Sequence, residues 1–590
     1  MREVTERSFG TSDGTELFYR HWPAPQGRSA GAIVLFHRGH EHSGRMAHIV
    51  DELGLDDFAF YAWDARGHGR SPGPRGFSPS IETSIRDVND FIAEVTSHSG
   101  HPVADVAVIA QSVGAVLVAA WLHDYAPKIR GAVLASPAFE VKLYVPLART
   151  GLAAAQLARG TFYVKSYVKA KFLTHDPERI ASFDADPLIS RAIASNILLG
   201  LYSTGERVVA DAQAITVPLQ LLISGSDWVV HHEPQHEFFT RLGSRVKERH
   251  ILPGFYHDTL GELDREKALA LVREFLTARF ALPQASVDLT ESDKSGPTRE
   301  EADRLASPLP PLSPRGLFWS ATRAAMKVGG ALSDGLKLGH DTGFDSGSTL
   351  DYVYRNAPSG RSALGRLIDR NYLQSIGWRG IRQRKVNIEA LMRDAMKRLA
   401  DAGTPIHVMD IAAGHGRYVL EALDSADVRP ASILLRDYSD LNVEQGTALI
   451  ESKGLASVAR FVKGDAFDRA SLASVTPRPT LTIVSGLYEL FPDNDMIRRS
   501  LAGVADAVPA GGYLVYTDQP WHPQLEMIAR ALTSHRGGAA WVMRRRSQAE
   551  MDQLVEHAGF RKLEQRIDEW GIFTVSLAVR VDAGQVGPAA

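Results

Sequence analysis

The chain of 590 residues contains no cysteine. That absence excludes a disulfide scaffold, a thiol nucleophile, a thiolate zinc site and an iron–sulfur cluster, so any covalent chemistry must use oxygen or nitrogen. Strong charge of either sign is also missing. Lys and Arg number 66 against 69 Asp and Glu, a formal net charge of -3, which gives no global electrostatic reason to expect nucleic acid. A long uninterrupted hydrophobic run is missing as well. The nearest approach, 103–122, is broken by Asp105, Gln111 and Ser112, and a buried strand followed by a buried helix explains it better than a membrane span. The opening MREVTERSFGTSDGTELFY is too charged for a secretory apolar region, so a cytoplasmic location is expected.

What is present is ample apolar material: 44% hydrophobic residues with 23% charged. At roughly 100 to 200 residues per domain, the length implies two or three domains. From about 15 to 280, short apolar runs (AIVLF at 32–36, FAFYAWD at 58–64, VADVAVIAQS at 103–112, GAVLASP at 131–137, LQLLISGSD at 219–227) alternate with helical patterns. That rhythm predicts a largely parallel sheet covered on both faces. The stretch 283–316 turns rich in Pro, Ser and charge and is expected to be a flexible linker. Residues 317–400 read as a helical extension, with a glycine-broken stretch GHDTGFDSGSTLDYVY near its start. A second alternation over 401–582 (PIHVMDIAAGHG, ASILLRDYS, ARFVKGDAFD, PTLTIVSGLYE, GGYLVYTDQ) predicts another open α/β sheet. With no fixed-period repeat between the halves, two different domains are expected.

The strand over 103–110 runs into Ala110-Gln111-Ser112-Val113-Gly114 and then an apolar helix. Small-x-Ser-x-Gly at a strand-to-helix turn is what a nucleophile elbow requires, because small flanking residues permit the tight turn that raises the hydroxyl. A serine needs a base and an orienting carboxylate. Asp227 follows the strand in ISGSDWVV and His257 lies in HILPGFYHDTLGE, giving the chain order Ser, Asp, His that one of the serine-triad folds uses. After AIVLF comes His37-Arg38-Gly39-His40-Glu41-His42-Ser43-Gly44-Arg45. This loop resembles the H-G-x-G-E-H-S-x-R of the monoacylglycerol lipase and lysophospholipase branch of the α/β-hydrolases, a branch that also holds serine aminopeptidases, and DARGHGRSPGPRG at 64–76 is similar too. The resemblance implies an oxyanion hole from the N–H groups of Gly39 and Val113. Arg38 and His40 depart from the family's glycines, and Arg38 is expected to alter the loop or to add charge near the acyl carbonyl. His37, His40 and His42 also admit a metal-ligand reading. About eighty residues, 138–215, are available as a cap. Within it Phe162, Tyr163, Tyr167 and Phe172 are interleaved with Lys165, Lys169 and Lys171. That pattern suits an acyl chain with an anionic headgroup or a peripheral membrane contact, and equally an ordinary cap helix packed on the core.

In the second half, His407-Val408-Met409-Asp410-Ile411-Ala412-Ala413-Gly414-His415-Gly416 is a strand ending in an acid, followed by a small-residue loop that a ligand can approach closely. The next strand ends at Asp437, about twenty residues on, where an acid can bond both hydroxyls of a ribose. The third delivers Asp465 in GDAFD, within reach of an adenine amino group. These three strand ends resemble the class I S-adenosylmethionine-dependent methyltransferases over about 340–582. The resemblance implies S-adenosyl-L-methionine as cofactor, with Asp410, Gly414 and Gly416 at the methionine moiety, Ala412 replacing the usual first glycine, Asp437 at the ribose and Asp465 at the base. Gly377, Trp378, Arg379 and Arg382 either close over the cofactor and pair with its carboxylate or belong to a solvated basic helix. Tyr488 and His522 are the acceptor-side candidates, able to position or deprotonate an acceptor. The Asn-Pro-Pro-aromatic motif of many amino-group DNA methylators is absent after the fourth strand. Arg544-Arg545-Arg546 precede a capping box, Ser547 to Glu550, and are expected to flank a helix start. The expected whole is a bifunctional enzyme, a serine ester hydrolase fused to a methyltransferase and acting on small-molecule or lipid substrates. The alternatives are a hydrolase regulated by a non-catalytic cofactor-binding module and a serine peptidase fused to a methyltransferase.

Overall fold

A computed structural model describes residues 2–582 except 26, 28, 167 and 285. The chain divides into two compact units, 1–287 and 288–589. Tyr167 lies outside the described residues.

The first unit is built on strands β1 (Thr5–Gly10), β2 (Glu16–Trp22), β3 (Ala32–Phe36), β4 (Ala59–Trp63), β5 (Val106–Gln111), β6 (Gly131–Ala135), β7 (Tyr163–Lys165), β8 (Ala192–Ala194), β9 (Leu219–Ser224) and β10 (Lys247–Leu252). Eight of them form one sheet in the order β1-β2-β4-β3-β5-β6-β9-β10. Pairing is parallel from β4 to β10 and antiparallel at β1–β2 and β2–β4. The central strands β3 and β5 are buried at every position, which is why they read as unbroken apolar runs rather than alternating ones. The helix Val113–Tyr125 that leaves β5 is buried around almost its whole circumference. Strand and helix together account for the apolar stretch 103–122. Between β6 and β9 the cap carries helices Ala148–Arg159, Pro177–Ala185 and Ser195–Ala210, together with the antiparallel β7–β8 ribbon.

The second unit holds β11 (His407–Asp410), β12 (Ser432–Asp437), β13 (Ala459–Lys463), β14 (Leu481–Val484), β15 (Tyr513–Asp518), β16 (Phe560–Ile567) and β17 (Thr574–Arg580). Their order is β13-β12-β11-β14-β15-β17-β16, with only the β17 pairings antiparallel. Because β11 and β14 are neighbours reached from opposite directions, the strand order reverses there and a crevice opens at the strands' carboxyl ends. Apolar clusters pack both sheet faces, one around Ile388, Leu391 and Val419 and the other around Ile497, Leu501 and Val504. Five helices precede the sheet, from Pro314–Gly330 to the long Ile376–Asp401.

The segment expected to be a flexible linker is built into this unit from Asp288 onward. It forms the helix Pro297–Ala306. Asp293 accepts the Asn494 N–H, Glu301 pairs with Arg545, and Thr298 accepts from Arg544. The three arginines 544–546 do flank the start of the helix Gln548–His557, and they are buried there. Arg544 reaches Glu550 and Asn494, and Arg546 reaches Asn494 and the carbonyl of Tyr488. Ser547 does cap its helix, accepting the Glu550 N–H at 3.2 Å. Asp and Glu partners thus supply what apolar side chains could not, and a polar segment orders.

Candidate functional site

In the first unit the turn after β5 holds Ser112 at φ 55°, ψ -117°, a strained conformation for a residue with a Cβ that lifts its hydroxyl above the sheet. The turn is possible because Gly114 lacks a side chain: a Cβ there would stand 2.5 Å from the His37 carbonyl oxygen. The Ser112 N–H donates to Ala135 O at 2.9 Å, fixing the elbow to β6. His257, in the loop after β10, places Nε2 2.7 Å from Ser112 Oγ and Nδ1 2.7 Å from Asp227 Oδ2. Asp227 Oδ1 accepts the N–H groups of Val229 and Val230 at 2.7 and 3.1 Å. Burial would raise its carboxyl, but the neighbouring His257 ring and these hydrogen bonds outweigh it and hold the group below the usual carboxylate range. A hydrogen-bonded chain of carboxylate, imidazole and hydroxyl is therefore assembled, with the ring oriented to take the serine proton.

Gly39 and Val113 line the same cavity as Ser112 and His257, and Gly39 packs against the Val113 side chain. Val113 opens a helix, where the first N–H groups lack intrahelical acceptors. Both departures in the loop have structural explanations. His40 sits at φ 72°, in the left-handed region that favours glycine. Arg38 lines the same cavity, but its charge is paired. Its guanidinium is buried in a bidentate pair with Glu41 at 2.8 and 2.7 Å, over the Phe183 ring. The histidines serve separate partners. His37 donates from Nδ1 to Arg38 O and accepts the Ala65 N–H at Nε2, while His42 bonds Gly44 N and Asp186.

The cavity above Ser112 has a volume of about 670 Å³. The cap roofs it with Leu152, Phe162, Val164, Ile197 and Leu201 among others, almost all apolar. On the outside, Leu147 and Leu157 are 82% and 91% exposed, and Tyr163 is half exposed. Phe172 instead stacks towards Trp228.

In the second unit a groove of about 850 Å³ runs over the carboxyl ends of β11, β12 and β13. Ala412, Gly414, Gly416, Asp437 and Asp465 all line it. Gly416, at φ 73°, brings its backbone so close to Leu435 that a Cβ would meet Cδ1 at 2.4 Å. Asp437 accepts the N–H of Gly414 at 2.9 Å and of Ser439 at 2.9 Å, tying the first loop to the second strand. Asp410 is a correction to the expected set. It lies beneath the loop, fully buried, accepting from Ala412 N and Tyr418 Oη at 3.1 and 2.5 Å. It is not part of the groove wall, so it shapes the loop rather than meeting a ligand, and burial pushes its carboxyl up to about 7. The far wall comes from the glycine-broken stretch, including Ser346, Gly347, Asp351 and Tyr354, whose sequence gave no motif to read.

On the acceptor side, Tyr488 turns into the core and donates to Ser500 Oγ at 2.9 Å, so it is not available to an acceptor. Its neighbour Glu489 instead lines a separate apolar cavity, together with His522, Gly377 and Trp378. Arg379 and Arg382 face elsewhere, over Trp570 and onto the Leu373 carbonyl. Arg384, two residues beyond Arg382 on the same helix, is the guanidinium that lines the cavity. His522 accepts the Gln524 N–H at Nδ1, 3.0 Å away, and burial lowers the ring to about 4. The neutral ring therefore carries its proton on Nε2, making it a donor rather than a base.

Comparison with known proteins agrees with both geometries. Residues 272–580 match the family described as "Putative methyltransferase", and 27–264 match the family described as "Serine aminopeptidase, S33". A protein of Escherichia coli (strain K12), "Uncharacterized protein YnbC", is 59% identical over 577 residues, spanning 98% of both chains. The monoacylglycerol lipase of Mycolicibacterium smegmatis is 27% identical over 284 residues, 47% of this chain and 98% of that one. The crystal structure of Paleococcus ferrophilus monoacylglycerol lipase aligns at 24% identity with a TM-score of 0.40, covering 47% of this chain and 99% of that chain. The chain accordingly belongs to the family of the "Putative methyltransferase" model and joins to it an α/β-hydrolase domain that is similar to monoacylglycerol lipases.

Proposed function

We propose that the protein is bifunctional, hydrolysing an acyl ester at Ser112 and transferring a methyl group from S-adenosyl-L-methionine in the second unit. The observation that carries the first half is the Asp227–His257–Ser112 hydrogen-bonded chain beneath an apolar roof. Ser112 Oγ attacks the ester carbonyl as His257 takes its proton, the Gly39 and Val113 N–H groups receive the developing oxyanion, and His257 then protonates the leaving alcohol. A water deprotonated by the same ring then cleaves the acyl-serine bond to free the acid and restore the hydroxyl. The apolar cavity favours a fatty-acyl ester over a peptide, whose amides would lose hydrogen bonds there. Leu147, Leu157 and Tyr163, exposed on the cap, support uptake of such a lipid at a membrane surface. Among the described residues no helix is long and apolar enough to cross a membrane.

The groove residues fit the proposed cofactor. Asp437 and Asp465 stand at successive strand ends, and the Gly416 cradle is one a Cβ would fill. Asp437 would hold the ribose, Asp465 the base, and the 412–416 loop the methionine end. The bound cofactor supplies an already activated methyl group, so the chain's own task is to align the acceptor and exclude water. The test is twofold. A series of monoacylglycerols and aminoacyl amides should give hydrolysis of the long acyl esters alone, and amide cleavage at comparable rates would refute the lipase reading. Calorimetry should detect one S-adenosylmethionine per chain, and no binding would refute the cofactor reading.

A further inference from the structure

Beside the cofactor groove lies a second cavity, of about 310 Å³, at the small end of ligand-sized pockets. The two spaces adjoin, since Asp345, Leu350, Gly486 and Leu490 line both. Its walls are chiefly apolar, with Ile368, Trp378, Ile381, Ile528, Trp541 and Phe573 among them. An apolar cavity of this size that served only as packing would be costly, and it would not be furnished with charge.

Yet polar side chains line it as well, the buried Arg384, Glu489 and His522 among them, together with Gln519 and an Asp345 already held by Ser534 and His535. Glu489 Oε1 accepts from Thr517 Oγ1 at 2.7 Å and stands 3.8 Å from Arg384 Nη1. Glu489 Oε2 and Arg384 Nε are buried with no hydrogen-bond partner among the described residues. Buried polar atoms are ordinarily satisfied, so an acceptor and a donor without partners on two residues that line one cavity point to a ligand that brings the complementary pair. The Nε2–H of His522 adds a second donor. The charges of Arg384 and Glu489 already balance, so a carboxylate ligand would set a second anion beside Glu489. A hydroxyl matches the set, donating to Glu489 Oε2 and accepting from His522 or Arg384.

We propose, resting on the methyltransferase reading above, that this cavity is the acceptor site and takes a compact apolar alcohol or phenol, which Glu489 deprotonates as it is methylated. The hydroxyl oxygen forms the new O–C bond while the bond between the methyl carbon and the sulfonium sulfur breaks, its electron pair leaving with the sulfur. The hydroxyl proton passes to Glu489 Oε2, and His522 keeps the oxygen in line.

The experiment uses the full chain and 2-naphthol as probe, with 2-methoxynaphthalene as the isostere that cannot donate. Titration without cofactor should show naphthol bound at least ~10-fold more tightly than the ether, because the ether leaves Glu489 Oε2 unpaired. Ile528→Trp, which fills the cavity, should abolish naphthol binding and leave S-adenosylmethionine binding unchanged. With the cofactor added, naphthol should become 2-methoxynaphthalene, and Glu489→Gln should slow that step in a single turnover by about 10²-fold or more while naphthol affinity changes only a few-fold. Equal affinity for naphthol and ether, binding indifferent to Ile528→Trp, no ether formed although both ligands bind, or a Glu489→Gln chain transferring at the parent rate would each overturn the proposal. Failure of S-adenosylmethionine to bind while naphthol still prefers the cavity would instead count against the cofactor reading alone.

Discussion

Both units raise their working residues on the carboxyl ends of a parallel sheet, and they use that position in opposite ways. In the first, the strand ends are chemically complete: carboxylate, imidazole and hydroxyl already touch, and backbone strain at Ser112 is held ready. In the second, the strand-end acids spend their hydrogen bonds on loop N–H groups, as Asp437 does on Gly414 and Ser439, and what results is a shaped groove. One sheet assembles its own hydrogen-bonded nucleophile, whereas the other forms a groove shaped to be filled. The difference predicts where single substitutions are severe.

The contrast is sharpest at Ser112. Ser112→Ala should cut ester hydrolysis by roughly 10⁶-fold and abolish fluorophosphonate labelling, leaving cofactor affinity unchanged. Labelling at full strength would mean another nucleophile. Asp227→Asn should follow with a loss of about 10⁴-fold in kcat at unchanged fold, since the ring is then held in the wrong tautomer; circular dichroism and steady-state rates together check it. A groove built by many backbone contacts should yield less to one change. Asp437→Ala is expected to weaken S-adenosylmethionine binding by roughly 10- to 100-fold in calorimetry and to spare hydrolysis. A loss of both activities would break the independence of the two sites. The smallest effect concerns the acid beneath the loop. Asp410 is raised to about 7 by burial, so between the ordinary carboxylate range and about pH 7 the folded state keeps a proton that the unfolded chain has lost. Stability of the second unit therefore falls as pH rises through that window. Asp410→Asn should flatten that slope in thermal melts of the full chain, and an unchanged slope would contradict the assignment.

The triad was legible in the sequence because each member follows an apolar run whose burial on both faces leaves little doubt about strand position, and because chain order distinguishes this fold. The groove was legible to the same extent at Gly414, Gly416, Asp437 and Asp465. Where one position of phase decides the outcome, the sequence was less readable. On the helix Ile376–Asp401, Arg379 and Arg382 were singled out, whereas Arg384 is the one rotated into the cavity. In the turn after β14, Tyr488 and Glu489 are adjacent and face opposite ways, so an aromatic that looked like a ligand contact is core and the acid beside it is not. Asp410 was expected at the cofactor because it ends a strand, but its register puts it under the loop. The segment 288–316 was misread for a different reason. Its order comes from hydrogen bonds and an ion pair with residues two hundred or more positions away, which leave no local pattern.

Those long-range pairs decide how the chain can be divided. A cut at 316, where composition alone would put it, would strip Arg544 and Arg545 of Thr298 and Glu301 and take Asp293 from Asn494, exposing buried guanidinium groups at the heart of the second half. Severing the chain just ahead of Asp288 keeps every one of those partners on the fragment that needs them.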